Sequence, residues 1–337
     1  MDFNVATGQG KRRAENRPST ADGVELYRRM LLIRRSEERL SRLFADGEVP
    51  GFIHLSIGQE AVSVGIMSAL TAEDTIASTH RGHGHAIAKG LSLTGFFAEL
   101  LARDDGLCRG RGGSMHVADA AVGMLGANGI VGAGVPIALG SALAHSRLHP
   151  GRVAVSFFGD GALAEGVLHE SLNLAVLLRA PILFVCEANG WSEFSPVASQ
   201  IAFGTEAWAR SYGLVYEKVD GNDVFAVAEA AARHIGGLRS GGSPVFLECL
   251  TARVRGHYEG DAQKYREAAE LDDLPRQDPL ARAWTQISAQ AGAPSDPSAI
   301  DEEVLGEIEA ALAAARRGPE PSPHGALCDV YSEQSHG

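Results

Sequence analysis

The sequence predicts an α/β protein, one domain built on a mainly parallel sheet flanked by helices. Three observations carry this. The first is a β-α-β unit in RVAVSFFGDGALAEGVLHESLNLAVLLRAPILFVCEANGW, residues 152–191. Its opening run is apolar and rich in Val and Phe, as suits a strand buried on both faces. Gly159-Asp160-Gly161 breaks that strand. Ala162 to Leu178 then places Leu163, Val167, Leu168, Leu172, Ala175 and Leu178 near helical spacing. Ala180-Pro181 stops the helix, because a residue before proline disfavours the helical basin, and Ile182 to Cys186 reads as the second strand. The crossover is expected to be right-handed and the strands parallel. The second observation is a later helix-strand pair, Val224 to Ile235 and then Pro244 to Leu250 (PVFLECL). The third is composition: 337 residues, 45% hydrophobic with 40 glycines, a globular profile with no internal repeat.

The β-α-β unit has a chemical consequence. Asp160 leaves the carboxyl end of its first strand and Asn189 that of its second, and ligands of open parallel sheets bind at those ends. A carboxylate, an amide oxygen and a turn carbonyl are too few donors for an all-protein metal cage. They suit Mg²⁺, which completes its octahedron with phosphate oxygens and water. Gly159 and Gly161 let the backbone approach a diphosphate with no Cβ in the way. The plainer reading is that Asp-Gly is a common turn; an Asn at the matching strand end weighs against it. On this reading Asp160 is the site's only carboxylate.

Charge and cysteine usage bound the function. A net charge of −12 argues against a nucleic-acid partner. Cys108, Cys186, Cys249 and Cys328 are widely spaced without a CxxC pair, which reads as reduced thiols in a cytoplasmic protein. No secretory signal opens the sequence. Val122 to Ala144 carries too many glycines, with Pro136, to be a membrane span, so no membrane role is expected.

Taken in order, residues 1–20 read as a polar tail containing Lys11-Arg12-Arg13. Ser19, Thr20 and Asp22 are cap candidates for a helix from Gly23 onward, with Leu26, Met30, Leu31, Ile33 and Leu40 on its apolar side and Glu37 and Glu38 starting a polar face. Gln59-Glu60-Ala61 opens a helix of small and apolar residues; His54 lies just before it. Residues 74–90, DTIASTHRGHGHAIAKG, place His80, His83 and His85 around Arg81 between glycines. Zinc ligation needs further ligands and a spacing such as HExxH, which this run lacks. A solvated loop is the bland reading, whereas an arginine among backbone amides suits a diphosphate.

Leu93 to Ala102 reads as a helix. Gly110-Arg111-Gly112-Gly113-Ser114-Met115-His116 is too glycine-rich for regular structure and reads as a binding loop. No glycine cluster fits a P-loop or a GxGxxG fingerprint. Gly140 and Ala144, four apart, allow close helix packing. Asp220-Gly221-Asn222-Asp223 caps the helix from Val224, and the strand after it delivers Thr251-Ala252-Arg253-Val254-Arg255-Gly256-His257 to the same sheet edge. Residues 259–275 read as a polar mobile loop. Pro279 to Gln290 and Ser298 to Arg317 read as helices, the second opened by acids. The domain is expected to span residues 21–331, with a short tail at 332–337.

GDGA, then Glu165-Gly166 and HESLN, then an Asn after the next strand, resembles the thiamine-diphosphate motif of the two-chain 2-oxo-acid dehydrogenases, in their alpha chains. The resemblance runs from about Leu26 to Tyr331, and the acetoin enzymes look closest. It implies thiamine diphosphate with Mg²⁺ as cofactors, and Asp160, Asn189 and the carbonyl of Trp191 as Mg²⁺ ligands. It further implies diphosphate contacts from His80, Arg81 and His257 around Gly159, Asp160, Gly161 and Ala162, and backbone contacts from Gly129 and Val131 to the aminopyrimidine. His257, His54 and His83 are its implied catalytic histidines. In two places the sequence departs from the motif: the usual Asn-Asn pair is Ala188-Asn189, and the usual tyrosine after it is Trp191. THRGHGH lacks the tyrosine that pyruvate and branched-chain enzymes carry before the arginine, which favours acetoin. Tyr258 stands where the animal enzymes carry a regulatory serine. The implied partners are a beta subunit, in an α₂β₂ tetramer, and a lipoyl acyltransferase that receives the acyl group. Other readings remain open: a pyruvate or branched-chain enzyme, loading of a two-carbon unit onto a carrier protein, or a non-catalytic cofactor-binding scaffold.

Overall fold

The computed structural model describes residues 19–323 and Gly325. The basic cluster at residues 11–13, Cys328 and the final tail lie outside them. Eight strands are present among the described residues: β1 Thr75–Ala77, β2 Met124–Gly126, β3 Ala154–Gly159, β4 Ile182–Ala188, β5 Trp191–Ser192, β6 Ser195–Pro196, β7 Val215–Asp220 and β8 Val245–Leu250. Six of them form one sheet in the order β2-β1-β3-β4-β8-β7, and every neighbouring pair is parallel. The expected mainly parallel α/β fold is therefore present. β5 and β6 make a small antiparallel hairpin.

Helices cover both faces, so the central strands are apolar on both sides. Val155, Phe157, Leu183, Val185, Leu247 and Cys249 face a core formed with α1 Thr20–Ala45, α2 Glu60–Met67, α3 His83–Lys89, α4 Leu93–Leu100, α8 Val224–Arg239, α10 Pro279–Ser288 and α11 Ser298–Ala315. On the other face, Ala154, Phe158, Ile182, Phe184, Cys186 and Phe246 pack with α5 Gly134–Leu148, α6 Gly166–Leu177 and α7 Thr205–Ser211. Strand alternation thus sends Cys186 and Cys249, neighbours in the sheet, to opposite cores. α9 Ala268–Asp273 lies outside both.

Local chemistry sets the helix starts. Ser19 and Asp22 form a reciprocal capping box, so α1 begins at Thr20, earlier than the apolar pattern suggests. Asp223 accepts from the amides of Phe225 and Ala226 at 3.0 and 3.2 Å, and Asp278 caps α10, which opens on Pro279. After β3 the chain makes a 3₁₀ turn, Asp160–Ala164, and α6 starts only at Gly166. From β1 the chain moves outward to β2, and from β3 it moves the other way to β4. Direction therefore reverses between β1 and β3, and a crevice opens at their carboxyl ends.

Several sequence expectations need correction. For residues 74–90 the bland alternative, a solvated loop, gives way to β1 and α3. His85 is buried, stacked on Phe157 with ring centroids 3.9 Å apart and bonded to Ser78 Oγ at 2.7 Å. Glu37 belongs to the core rather than a polar face: it is buried and accepts from the amide and hydroxyl of Ser56 at 2.8 and 2.7 Å. Residues 259–275 are pinned by a buried Arg266 and include α9.

One buried acid ties the sheet edge to the helix layer. Asp74 accepts from Thr71 N at 2.7 Å, Val153 N at 2.9 Å and both terminal nitrogens of Arg239, at 2.9 and 2.5 Å. Burial alone would raise its carboxyl; these donors hold it below the ordinary value. Breaking a buried pair strands its partner, so Asp74→Ala should lower unfolding free energy by about 3 kcal/mol, read as a shifted urea midpoint at constant slope.

Candidate active site

A cavity of about 330 Å³ lies at the crevice. Ser78, Thr79, His80 and Arg81 reach it from the end of β1, Gly159, Gly161 and Ala162 from β3, Glu187, Asn189 and Trp191 from β4, and Arg253 and His257 from beyond β8. Gly129, Ile130 and Val131 form part of its wall, and His54 closes another side.

Asp160 lies beside the cavity floor between Gly159 and Gly161 and is only 5% exposed. Its Oδ2 accepts from Gly190 N at 2.7 Å, so the turn after β3 is stitched to the turn after β4. Its Oδ1 is buried with no hydrogen-bond partner. Burial pushes the carboxyl up to about 6, against the Gly190 amide that opposes it. Gly190 has φ +82°, which a side chain rarely adopts. Asn189 Oδ1 accepts from Trp191 N at 3.0 Å, and the Trp191 indole donates to Glu270 of α9 at 2.7 Å. A Cβ at Gly159 would meet nothing within 4 Å, so that wall is open to a ligand; one at Gly161 would collide with Ser192 Oγ at 2.7 Å. A buried carboxylate oxygen with no donor, beside an amide oxygen and an open glycine wall, fits a hard cation held together with phosphate oxygens.

The opposite side is basic. Arg81 is buried, donating from Nη1 to the Leu55 carbonyl and from Nη2 to the His257 carbonyl at 3.0 Å. Burial, then the nearby Arg253, lowers its guanidinium to about 10. Arg253 is 2% exposed, donating to the Glu193 carbonyl at 3.0 Å and the Tyr265 hydroxyl at 2.7 Å, while its Nε is buried without a partner. The rings of His54, His80 and His257 gather beside them. Burial first, then Arg81, lowers His54 to about 3 and His257 to about 4, and the same two causes hold His80 well below its usual value. These imidazoles are neutral at pH 7 in a cavity with two buried guanidinium groups, an arrangement suited to a polyanion.

The structure brings His54, His80, Arg81, Gly129, Val131, Gly159, Gly161, Ala162, Asn189, Trp191 and His257 together in the cavity lining, with Asp160 buried between Gly159 and Gly161. It does not bring His83. That ring is fully buried, with Nδ1 at 3.0 Å from Glu37 Oε2 and Nε2 at 2.8 Å from Ser114 Oγ. Nor is Asp160 the only acid near the cavity, since Glu187 and Glu193 line it. Sequence reasoning passed over Arg253, although it lies four residues before His257; burial distinguishes it from Arg255, whose side chain is 45% exposed. It also passed over Glu99, whose carboxylate accepts from Cys108, Gly110, Gly112 and Gly113 amides at 2.7, 2.8, 2.7 and 3.0 Å. An acid one turn inside a predicted helix carries no signal that it will fold a distant glycine loop around itself.

A strap completes the site. Asp261 accepts from His257 N at 2.8 Å and from the Tyr265 hydroxyl at 2.6 Å, and Arg266 donates to the Arg253 carbonyl at 2.7 Å. His257 and Arg253 are therefore held by the same short loop.

Two outcomes follow from this geometry. Burying a carboxylate charge that no cation answers costs stability, so Asp160→Asn should raise the melting temperature of the cofactor-free protein while losing any Mg²⁺-dependent ligand binding; calorimetry reads both. The histidines give a pH dependence. Unfolded imidazoles take up protons near pH ~6.5, whereas folded His257 and His54 do so only at about 4 and 3. Between those values the unfolded chain binds more protons, so stability falls as pH drops from about 6.5. His257→Gln should flatten that fall in urea titrations run at a series of pH values.

The sequence profile of the dehydrogenase E1 component matches residues 28–324. The alpha subunit of acetoin:2,6-dichlorophenolindophenol oxidoreductase from Cupriavidus necator is 45% identical over 315 residues, covering 91% of this chain and 93% of that protein. The protein of the same name from Bacillus subtilis is 43% identical over 314 residues, 93% and 94% of the two chains. The alpha subunit of the pyruvate dehydrogenase E1 component from Rhizobium meliloti is 37% identical over 320 residues, 94% and 90% of the two chains. With its parallel sheet and a cavity lined by Gly159, Gly161 and Arg81, the chain belongs to the dehydrogenase E1 component family, as an alpha subunit of a thiamine-diphosphate-dependent oxidoreductase.

Proposed function

We propose that the chain is the alpha subunit of an acetoin-cleaving dehydrogenase, using thiamine diphosphate with Mg²⁺ and working with a beta subunit. The observation that carries the cofactor reading is the buried, unpartnered Oδ1 of Asp160, whose neighbours Gly159 and Gly161 line the same cavity as buried Arg81 and Arg253. The names of the two acetoin relatives and His80 before Arg81 favour acetoin. When bound, thiamine diphosphate supplies the carbanion chemistry that breaks a carbon–carbon bond beside a carbonyl.

The chain's own residues bind, orient and move protons. Asp160 and Asn189, with the carbonyl of Trp191, would hold Mg²⁺. Arg81 spends two of its five N–H groups on carbonyls, which leaves donors for a diphosphate. Arg253, His80 and His257 complete that grip, and the neutral rings of His54 and His257 can each give or take a proton near the reacting carbonyl. Gly129 and Val131 would meet the aminopyrimidine through their backbones. His83 acts through Ser114 and Glu37 and is a positioning residue. A lipoyl acyltransferase is the acceptor this reading expects, and buried unpaired Cys186 and Cys249 suit a reducing, cytoplasmic setting.

A partner is part of the proposal. Ile130 and Val131, 73% and 47% exposed, stand uncovered at the cavity wall, and the described residues form one six-stranded sheet with a two-stranded hairpin beside it. Co-expression with the beta chain and assay with an artificial electron acceptor tests both points. Acetoin should be preferred over pyruvate and 2-oxoisovalerate, and the alpha chain alone should not turn over. A tenfold preference for 2-oxoisovalerate, about 1.4 kcal/mol in the transition state, would favour the branched-chain reading; robust turnover without a partner would remove the two-chain one.

A further inference from the structure

His54, His80 and His257 come from three separate loops, before α2, after β1 and after β8, yet their rings touch. Their centroids lie 4.8, 4.9 and 5.3 Å apart, and one ring nitrogen from each lies within 4.8 Å of the others. His54 is 7% exposed, and its Nδ1 is buried with no hydrogen-bond partner. His257 commits its backbone N–H and carbonyl to neighbours, at 2.8 and 3.0 Å, and leaves its ring uncommitted.

We propose that these three histidines form a binding site for Zn²⁺ in the cofactor-free protein. Zinc takes three imidazoles and keeps a fourth position open to water, and all three histidines line the cavity. Zinc–nitrogen bonds of ~2.0–2.1 Å place tetrahedral ligands roughly 3.4 Å apart, so the nitrogens must close by at most ~1.4 Å, within reach of small χ rotations. Ligation requires neutral rings, and burial beside Arg81 already keeps these rings neutral at pH 7.

Charge around the site does not forbid a dication. Arg81 and Arg253 repel it, but both are anchored on carbonyls, and Glu187 and Glu193, which line the same cavity, offset them. Mg²⁺ would not compete, because it prefers oxygen donors. The site itself is independent of the proposed function. Only one consequence rests on that reading: zinc would occupy the place of the diphosphate, so loaded enzyme should not take it up.

The test uses the full-length chain stripped of metal and cofactor by a chelator and then titrated with Zn²⁺, and with Co²⁺ as a coloured stand-in. One equivalent should bind in the micromolar range, and Co²⁺ should give the intense visible bands of a tetrahedral site. His54→Gln, His80→Gln and His257→Gln, each checked for folding by circular dichroism, should weaken binding at least ~10-fold. His149→Gln is the control, since His149 and His145 form a separate pair on and just beyond α5 with centroids 6.2 Å apart; it should change nothing. Binding no tighter than about 0.1 mM, survival in all three variants, or loss in the control would overturn the proposal. Because zinc is read before any cofactor is added, that failure is distinct from a failure of Mg²⁺-thiamine diphosphate to bind in its own titration.

Discussion

Asp160 is the carboxylate on which the site depends. One oxygen holds the Gly190 amide and so fixes the turn after β4 relative to the turn after β3. The other is buried and has no donor. Such an oxygen is costly in a folded protein unless a cation answers it. The parallel register of β3 and β4, which pairs Gly159 with Glu187, brings Asp160 and Asn189 to the same crevice. The charge is placed by sheet topology and left unsatisfied by local hydrogen bonding.

Other buried acids organise the walls around it. Glu99 gathers four amides of the glycine-rich loop. Glu37 ties α1 to Ser56 and His83; burial would raise its carboxyl, but His83 and Ser56 hold it below its ordinary value. Glu60 pairs with Arg34 at 2.6 Å and accepts from Gly58 N at 2.9 Å, just before α2. Each of these satisfies its acid and fixes a loop, since a carboxylate accepting several N–H groups replaces the backbone pairing that an irregular segment lacks. Asp160 differs in keeping one oxygen free at the place where a ligand fits.

The cationic wall works on the same principle with the opposite sign. Arg81 and Arg253 are buried and anchored through carbonyls, and burial first, then the charge of Arg81, keeps three nearby imidazoles neutral. A polyanion entering the cavity would relieve both guanidinium groups and raise the histidines together. Substrate chemistry and proton affinity are therefore coupled through one small volume. The strap from Asp261 to Arg266 holds both His257 and Arg253, so it sets the shape of that volume.

Sequence alone determined the fold class, the β-α-β unit and the joint presence of Asp160 and Asn189, because strand ends, turn glycines and a proline stop are local signals. It also named Arg81 and His257 through resemblance. It did not show β1, β2 or β7 as strands: the first two have three residues each, too short for periodicity, and β7, VYEKVD, lies at a sheet edge and lacks the strict polar–apolar alternation that marks a strand. It misplaced His83 in the site and Glu37 on the surface, since a charged or ring side chain gives no sign in sequence of the partner that buries it. The ring-to-ring contacts of His54, His80 and His257 and the burial of Arg253 were decided only by tertiary structure. Their segments are distant in sequence and meet because parallel strands carry their loops to one edge of the sheet.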